Sequence, residues 1–277
     1  MPDQLYLFGI ALSLSDKVQK SIATIQLYEP QALERDPVNG YYVADSYGKD
    51  SCVIRHLCAA AGVAHKCHHH LTTLDPPELI HFGRKHHPDA LIHRPSVPLL
   101  ARFVQKSAGP PTRRSRWCCQ EYKEPYGNPY IKVLGIRAQE SRNRKVRWKI
   151  WTPWKRPVTW ILNPILYWTA ADVWEYIRQH KIPYCCLYDQ GFSRLGCVGC
   201  PMSGNGRYKE FARWPKYEKL WHKAFQKYWL AWHNVPRKDG DPRWFDKKGW
   251  TSWQDLWKWW MEETPRNAPD DCQPSLF

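Results

Sequence analysis

A short polar segment at residues 46–51, with the sequence Ser-Tyr-Gly-Lys-Asp-Ser, contains the residue types that proteins use to bind phosphate. It follows an apolar run at residues 41–44 and precedes an amphipathic stretch, so we expect it to join a strand to a helix start. Backbone N–H groups at a helix start point toward a bound anion, and the helix dipole favours negative charge there. Gly48 lets the backbone approach closely, and Lys49 supplies a positive charge. This segment, called the phosphate loop, therefore predicts a phosphate site, although similar residues also occur in solvated turns.

Two pairs of cysteines form a second candidate site. Cys118 and Cys119 are adjacent, whereas Cys197 and Cys200 form a C-x-x-C sequence followed by proline. Four thiolates suit a tetrahedral zinc ion or a 4Fe–4S cluster, and structural zinc usually takes two spaced pairs. The residues alone leave zinc, an iron–sulfur cluster and unligated core cysteines open. A second adjacent pair, at residues 185 and 186, is a competing set of ligands.

Charged residues near predicted strand ends extend the candidate anion site. Arg137 follows a predicted strand at residues 131–136, and a guanidinium at the carboxyl edge of a sheet fits phosphate or sulfate. Glu140 is placed to orient Arg137, and Arg142 to reach the same anion, with a surface ion pair as the alternative reading. Asp50 belongs to the phosphate loop and Asp75 follows the second predicted strand, so that either carboxylate would lie near a phosphate-bound Mg²⁺.

These residues need a scaffold that brings strand ends together. Short apolar runs alternate with helical periodicity over residues 40–180, which predicts an α/β fold with a doubly wound, mostly parallel sheet. In the second strand His68 and His70 share one face while His69 points to the other, so the three are not expected to converge on a metal. We divide the chain into an N-terminal helical segment (1–39), an α/β domain with the phosphate loop and the two cysteine pairs (40–205), a basic, tryptophan-rich helical extension (206–263) and a mobile tail (264–277).

The charge of the chain indicates polyanionic partners. Its 277 residues contain 41 Lys and Arg against 26 Asp and Glu, a formal net charge of +15. Residues 142–156, called the basic segment, contain seven basic residues and no acid, with Trp148, Trp151 and Trp154 interleaved. Charge combined with aromatic faces is typical of single-stranded nucleic acid binding. The alternative is a solvated basic loop over buried tryptophans.

The sequence does not predict a membrane partner. No segment approaches the roughly 20 apolar residues of a membrane span. The apolar run near the N-terminus is preceded by an acid rather than by Lys or Arg, and no clear cleavage site follows it, so we do not expect a secretion signal. We therefore expect a cytoplasmic protein whose cysteines stay reduced.

The motifs occur in an order that resembles the phosphoadenosine phosphosulfate reductase family of the adenine nucleotide alpha hydrolases, including its Dnd-type (DNA phosphorothioation) and phage-borne relatives. The resemblance covers about residues 40–205 and is highly specific as an ordered set. Its motifs are S-Y-G-K-D-S at 46–51, T-T-L-D-P-P-E-L at 72–79, R-W-C-C at 116–119, G-I-R-A-Q-E-S-R at 135–142, N-P-I at 163–165, D-V-W at 172–174, L-Y-D at 187–189 and G-C-V-G-C-P at 196–201.

This resemblance implies specific roles for residues of the chain. The phosphate loop would hold the β- and γ-phosphates of ATP, so that the α-phosphorus is attacked and pyrophosphate leaves. The implied catalytic residues are Lys49, Asp50 and Arg137. The implied nucleotide-binding residues are Ser46, Tyr47, Gly48, Lys49, Asp50, Ser51, Asp75, Arg137 and Arg142. The implied ligands of a 4Fe–4S cluster are Cys118, Cys119, Cys197 and Cys200.

Three functions remain open at this level. The first is an ATP pyrophosphatase that adenylates an acceptor such as DNA or RNA and delivers sulfur from a donor protein such as a cysteine desulfurase. The second is a reductase of adenylyl sulfate or its 3′-phospho form, a substrate without a β–γ pyrophosphate. Such reductases carry a late nucleophilic cysteine, whereas Cys272 stands among acids that would raise the pKa of a thiol. The third is a non-catalytic nucleic-acid-binding module, which loss of Lys49 or Asp50 would have favoured.

Overall fold

A computed structural model describes residues 12–124, 129–154 and 159–262. Its centre is a six-stranded sheet with the order β3-β2-β1-β4-β6-β5, in which only β5 runs antiparallel to its neighbour. The order reverses between β1 and β4, which is the switch point of a doubly wound sheet. The strands are β1 (Tyr41–Ala44), β2 (His65–His70), β3 (Leu91–His93), β4 (Lys132–Val133), β5 (Trp151–Trp154) and β6 (Thr159–Leu162).

Helices connect and cover these strands, which confirms the predicted α/β class. The residues that begin these helices act on neighbouring positions of the sequence. Thr169 and Asp172 form a capping box at α8, in which each side chain accepts a backbone N–H of the other residue. The described helices are α1 (Leu14–Leu27), α2 (Glu29–Arg35), α3 (Lys49–Ala60), α4 (Pro77–His86), α5 (Leu99–Gln105), α6 (Trp117–Tyr122), α7 (Arg142–Arg147), α8 (Ala170–Gln179), α9 (Gly206–Arg213), α10 (Pro215–Trp232) and α11 (Trp253–Glu262).

The helical, tryptophan-rich region after residue 205 is present and shares its core with the sheet domain. Phe103 of α5 packs edge-on against Phe225 of α10, with ring centroids 5.0 Å apart, and Trp221 lies 4.7 Å from Trp260 of α11. One cluster of buried side chains runs from Ile25 to Met261. The extension therefore completes the hydrophobic core of the sheet domain. The predicted mobile tail, 264–277, lies outside the described residues.

The edge hairpin β5–β6 was not predicted from the sequence. Pro153 and the surrounding basic residues hide the strand pattern, and a proline is tolerated here because β5 pairs on one side only. The predicted strand at residues 131–136 is shorter in the structure, where only Lys132 and Val133 are paired as β4.

The tryptophans of the basic segment pack within the protein. Trp148 is buried and stacks on Trp154, with centroids 5.0 Å apart. Trp151 stacks on both Tyr28 (4.2 Å) and Trp160 (4.9 Å). Their faces are occupied by other rings, so the structure favours the reading of buried tryptophans over that of a stacking platform for bases.

Replacing Trp151 with alanine is expected to lower the melting temperature, because it removes a ring from the stack that joins α1 to the hairpin. The expected loss is about 2–3 kcal/mol of unfolding free energy, less than for a fully buried tryptophan because Trp151 is only partly buried. Thermal unfolding measures it, with Lys149→Ala as an exposed control in the same segment. An unchanged melting temperature together with weaker nucleic acid binding would contradict this assignment.

The histidines of β2 separate as strand alternation predicts. His68 stacks on Tyr42 (3.7 Å) and His70 on His93 (4.5 Å), while the His69 ring packs against Tyr47 of the phosphate loop. Among the described residues no group of three or more His, Cys, Asp and Glu side chains is arranged to hold a single metal ion.

A search of the described helices for one with the length and apolar character of a membrane span found none.

Candidate active site

A cavity of about 520 Å³ lies at the carboxyl ends of β1 and β4. This is the sheet's switch point, where open α/β sheets bind ligands. The cavity is lined at one end by the phosphate loop and at the other by the two cysteine pairs. Of the predicted site residues, it contains Ser46, Gly48, Lys49, Asp50, Ser51, Asp75, Arg137, Cys118, Cys119, Cys197 and Cys200.

The phosphate loop forms the N-terminus of α3, as predicted. Gly48 is the N-cap residue, and the Ser51 hydroxyl donates to the Gly48 carbonyl at 2.8 Å. The backbone N–H of Lys49 donates to the Tyr188 hydroxyl at 2.9 Å. The loop therefore joins a 12-residue helix whose dipole favours an anion in the cavity.

The three predicted catalytic side chains converge. Asp50 accepts from Arg137 Nε at 2.7 Å with one carboxylate oxygen and from Lys49 Nζ at 2.9 Å with the other. Gly135 permits this contact, because a Cβ there would lie 3.0 Å from the Asp50 Cβ. Lys49 and Arg137 are both buried. One carboxylate thus orients two cations toward the space beside the phosphate loop.

Two predicted ligand-binding residues are placed elsewhere. The Tyr47 side chain is 1% exposed and stacks on His69, with centroids 3.8 Å apart, so only its backbone lies near the loop's binding face. Arg142 is exposed and does not line the cavity, whereas the Arg144 side chain of the same helix does. The reason is helical geometry, since residues two apart on a helix do not share a face.

Glu140 holds the backbone of Arg137 at the edge of the cavity. Its carboxylate accepts the backbone N–H of Arg137 at 3.0 Å and forms an ion pair with Arg144. The Arg137 guanidinium is held by Asp50 instead. The expected orientation of Arg137 by Glu140 is therefore an effect on its main chain.

Asp75 connects the two ends of the cavity. Its carboxylate accepts the Thr72 N–H at 2.7 Å, and its carbonyl accepts the Tyr217 hydroxyl at 2.8 Å. The Cys197 thiol donates to the Thr72 hydroxyl at 3.2 Å. The turn after β2 is thus bonded both to α10 and to the second cysteine pair.

The four cysteines lie in a cationic environment. Arg116 donates to Cys119 Sγ at 3.3 Å. The hydrogen bond from Cys118 and the charges of Arg116 and Lys123 lower the pKa of Cys119 well below its usual range. Burial alone would lower the pKa of Lys123, but charge interactions with Cys197 and Cys119 raise it above its usual range. The positive charge of Lys123 and the negative charge of the Cys119 thiolate stabilise each other, as binding of a cofactor through thiolates requires.

The four cysteines are distributed along the wall of one cavity. A tetrahedral zinc site holds its sulfurs about 3.8 Å apart, given Zn–S bonds of about 2.3 Å. A 4Fe–4S cluster is larger and binds one thiolate at each of its irons. Four thiols on the wall of one cavity, with cations beside them, suit that larger group.

Several residues of the site were not identified from the sequence as ligand-binding. Tyr188 closes the phosphate loop, Lys123 lies among the thiols, and Arg144 and Arg194 line the cavity. Tyr188 belongs to one of the resembling motifs, and Lys123 follows Cys119 by four residues, which places it one helical turn away.

The switch-point cavity, its helix N-terminus and its buried cations define an α/β nucleotide-binding protein. Residues 40–203, more than half of the chain, match the family model of the phosphoadenosine phosphosulfate reductase domain. The chain belongs to this family.

Curated relatives match over part of their length. An uncharacterized protein of Methanocaldococcus jannaschii is 32% identical over 165 residues, which are 56% of this chain and 32% of that protein. An uncharacterized 37.8 kDa protein of Escherichia phage 186 is 34% identical over 124 residues, 38% of this chain and 36% of that one. Adenosine 5′-phosphosulfate reductase of Salinibacter ruber is 38% identical over 60 residues, 21% and 24% of the two chains. The chain thus spans about a third or less of these relatives.

Among solved structures, phosphoadenylyl-sulfate reductase of Candida auris, in a phosphate complex, is similar with a TM-score of 0.47 and 19% identity. The similarity covers 69% of this chain and 98% of that one.

Proposed function

We propose that this chain binds ATP, cleaves it between the α- and β-phosphates, and uses the adenylyl group to activate an acceptor for sulfur transfer. The supporting observation is that the phosphate loop and the four cysteines line one cavity of about 520 Å³. A nucleotide held by the loop would therefore lie beside the cysteines. The reduced state that this requires agrees with the expected cytoplasmic location.

The residues of the chain account for the phosphate chemistry. The β- and γ-phosphates would lie on the loop at the N-terminus of α3, beside Lys49 and Arg137. Attack by an acceptor on the α-phosphorus forms the acceptor–phosphorus bond, and the bond to the bridging oxygen breaks. The electron pair leaves with pyrophosphate, whose charge the two cations and the helix N-terminus stabilise. Mg²⁺ would be held by the phosphates together with Asp50 or Asp75.

The cysteines would supply the sulfur chemistry. Cys118, Cys119, Cys197 and Cys200 would hold a 4Fe–4S cluster, and a bound cluster supplies a redox-active group able to bind sulfur. Arg116 and Lys123 would offset its negative charge. The sulfur would come from a donor protein such as a cysteine desulfurase, and its bond to the adenylated acceptor would form as the bond to AMP breaks and AMP leaves.

Reduction of adenylyl sulfate or its 3′-phospho form is the second candidate. Arg116, Arg144 and Arg194 line the cavity near the cysteines, where a sulfonate would lie. Relatives named adenosine 5′-phosphosulfate reductase share up to 38% identity over short regions. The paired Lys49 and Asp50 favour the first candidate, because a sulfonucleotide has no departing pyrophosphate to hold.

One experiment separates the two candidates. Protein prepared without oxygen is incubated with ATP, with adenylyl sulfate and with phosphoadenylyl sulfate, and both pyrophosphate and sulfite are measured. Release of pyrophosphate from ATP supports the proposed function. Sulfite release without ATP turnover would replace it with the reductase.

The acceptor in this proposal is a nucleic acid, bound by charge. The exposed cations Arg142, Lys145 and Arg147 belong to α7, whose Arg144 lines the cavity. A strand on these cations would pass the cavity opening. Because the tryptophans of the basic segment are stacked on other rings of the protein, the contacts would be to phosphates rather than to stacked bases.

Changing Arg142, Lys145 and Arg147 together to glutamate is expected to reduce binding to DNA or RNA. The slope of log affinity against log salt should fall by about 3, because each lost phosphate contact contributes roughly 0.9. ATP binding should persist. Charge reversal of Lys216, Lys219 and Lys223, on the exposed face of α10, is the matched control. Equal losses in both variants would indicate attraction by overall charge and would contradict a site on α7.

A further inference from the structure

A buried hydrogen-bonded chain joins the residues on either side of the phosphate loop. Asp45, just before the loop, is 1% exposed and accepts from Tyr47 N–H at 3.0 Å and from His87 Nδ1 at 2.5 Å. His87 Nε2 lies 3.8 Å from Cys52 Sγ, just after the loop. One imidazole, from the C-terminal end of α4, therefore bridges the strand that enters the loop and the helix that leaves it.

The chemistry of these buried side chains indicates which of them carry protons. Burial raises the pKa of the Cys52 thiol well above its usual range, so the thiol keeps its proton, which it donates to the Tyr47 carbonyl at 4.0 Å. His87 then donates from Nδ1 to Asp45. Burial alone would raise the pKa of Asp45, but the hydrogen bond and charge of His87 lower it below the usual range. Asp45 is thus a buried carboxylate with two donors.

The order Cys–His–Asp resembles that of a catalytic triad, but the geometry excludes nucleophilic use. Cys52 and His87 are buried and neither lines the cavity. The thiol is protonated, whereas a nucleophilic cysteine acts as the thiolate. These hydrogen-bonded side chains instead contact the backbone of the phosphate loop.

Tyr47 gives the loop a second attachment. Its φ of 60° is left-handed, a conformation that is unfavourable for an L-residue. Its ring stacks on His69 at 3.8 Å and meets His87 edge-on at 5.4 Å. Gly83 of α4 leaves the space for it, since a Cβ there would lie 2.1 Å from the ring. The buried ring holds a backbone conformation that glycine would otherwise be expected to supply.

We propose that Asp45, His87 and Tyr47 are positioning residues, which lock the phosphate loop in its anion-binding conformation before a ligand arrives. The identity of that ligand, ATP, rests on the proposed function. A loop already ordered loses less entropy when it binds an anion, so the lock contributes affinity without touching the ligand.

The lock is tested first without ligand, by hydrogen exchange of the amides at residues 46–51. His87→Leu should speed their exchange at least tenfold, because Asp45 loses its side-chain donor. His87→Asn should stay near the parent rate, because its amide nitrogen lies where Nδ1 was. Leu256→Ala, a buried change in α11, is the control for general loss of stability and should leave the loop amides protected.

Two substitutions at Tyr47 distinguish the contribution of its ring from that of its backbone conformation. Tyr47→Phe should behave as the parent, because the hydroxyl makes no hydrogen bond within the described part of the chain. Tyr47→Gly removes the backbone strain but also the anchor, so exchange should accelerate. Parent-like exchange in both Tyr47→Gly and His87→Leu would overturn the proposal.

Titration with ATP then links the lock to binding. His87→Leu and Tyr47→Gly should bind ATP about tenfold more weakly than the parent, with His87→Asn and Tyr47→Phe unchanged. Parent protein that does not bind ATP would refute the proposed function, while the exchange result would still decide the lock. Faster exchange with unchanged ATP affinity would overturn the role of the lock in binding.

Discussion

Replacing Lys49 with alanine is expected to weaken ATP binding by about 10- to 150-fold, which corresponds to roughly 1.5–3 kcal/mol for a charged hydrogen bond. Lys49 is buried beside the phosphate loop, where it forms an ion pair with Asp50 at 2.9 Å. Loss of the ammonium removes a cation from the departing pyrophosphate and leaves one Asp50 oxygen without that donor. Calorimetric titration measures the affinity, and pyrophosphate release measures the turnover.

Lys49→Met is the matched control, because it keeps the length of the side chain beside the Tyr188 ring and removes only the charge. Both variants should lose affinity while cluster content stays at the parental level. Methionine restoring ATP binding would show that the packing, rather than the charge, of Lys49 is required.

Replacing Cys197 with serine is expected to remove most of the iron from the protein. Parent protein prepared without oxygen should contain about four irons and four sulfides per chain, because a Cys₄ site of this kind holds a 4Fe–4S cluster. Cys197 lines the cavity with the other three cysteines, and its thiol is hydrogen-bonded to the Thr72 hydroxyl. Iron and sulfide analysis together with the visible spectrum measures the loss.

Cys186→Ser is the matched control, since Cys186 is exposed and does not line the cavity. This variant should keep its colour and its iron. Parent protein that contains stoichiometric zinc and no sulfide would refute the cluster and assign the four thiols to a single ion.

Much of the fold could be predicted from local patterns. The strand at residues 41–44 and the helix start at the phosphate loop appear where the sequence predicts them, because apolar runs and helical periodicity act over a few positions. The edge hairpin was missed, since its pairing joins residues whose local pattern is dominated by charge and by Pro153.

By itself, the sequence determined the chemistry available to this protein. The phosphate loop, the two cysteine pairs and Arg137 each follow from residue type, spacing and position after a predicted strand. The sequence also identified the family, because its motifs recur in a specific order. Tertiary structure decided which side chains meet, because those contacts join distant parts of the chain.

Tyr188, for example, accepts from Lys49 across 139 positions, and no local pattern specifies that contact. Burial was decided in the same way. The Tyr47 ring packs inward on His69, and Trp151 stacks on Tyr28 and Trp160, although the residues next to each of them in the sequence are polar or basic. A side chain's exposure depends on what packs over it, and only the completed fold determines which elements do so.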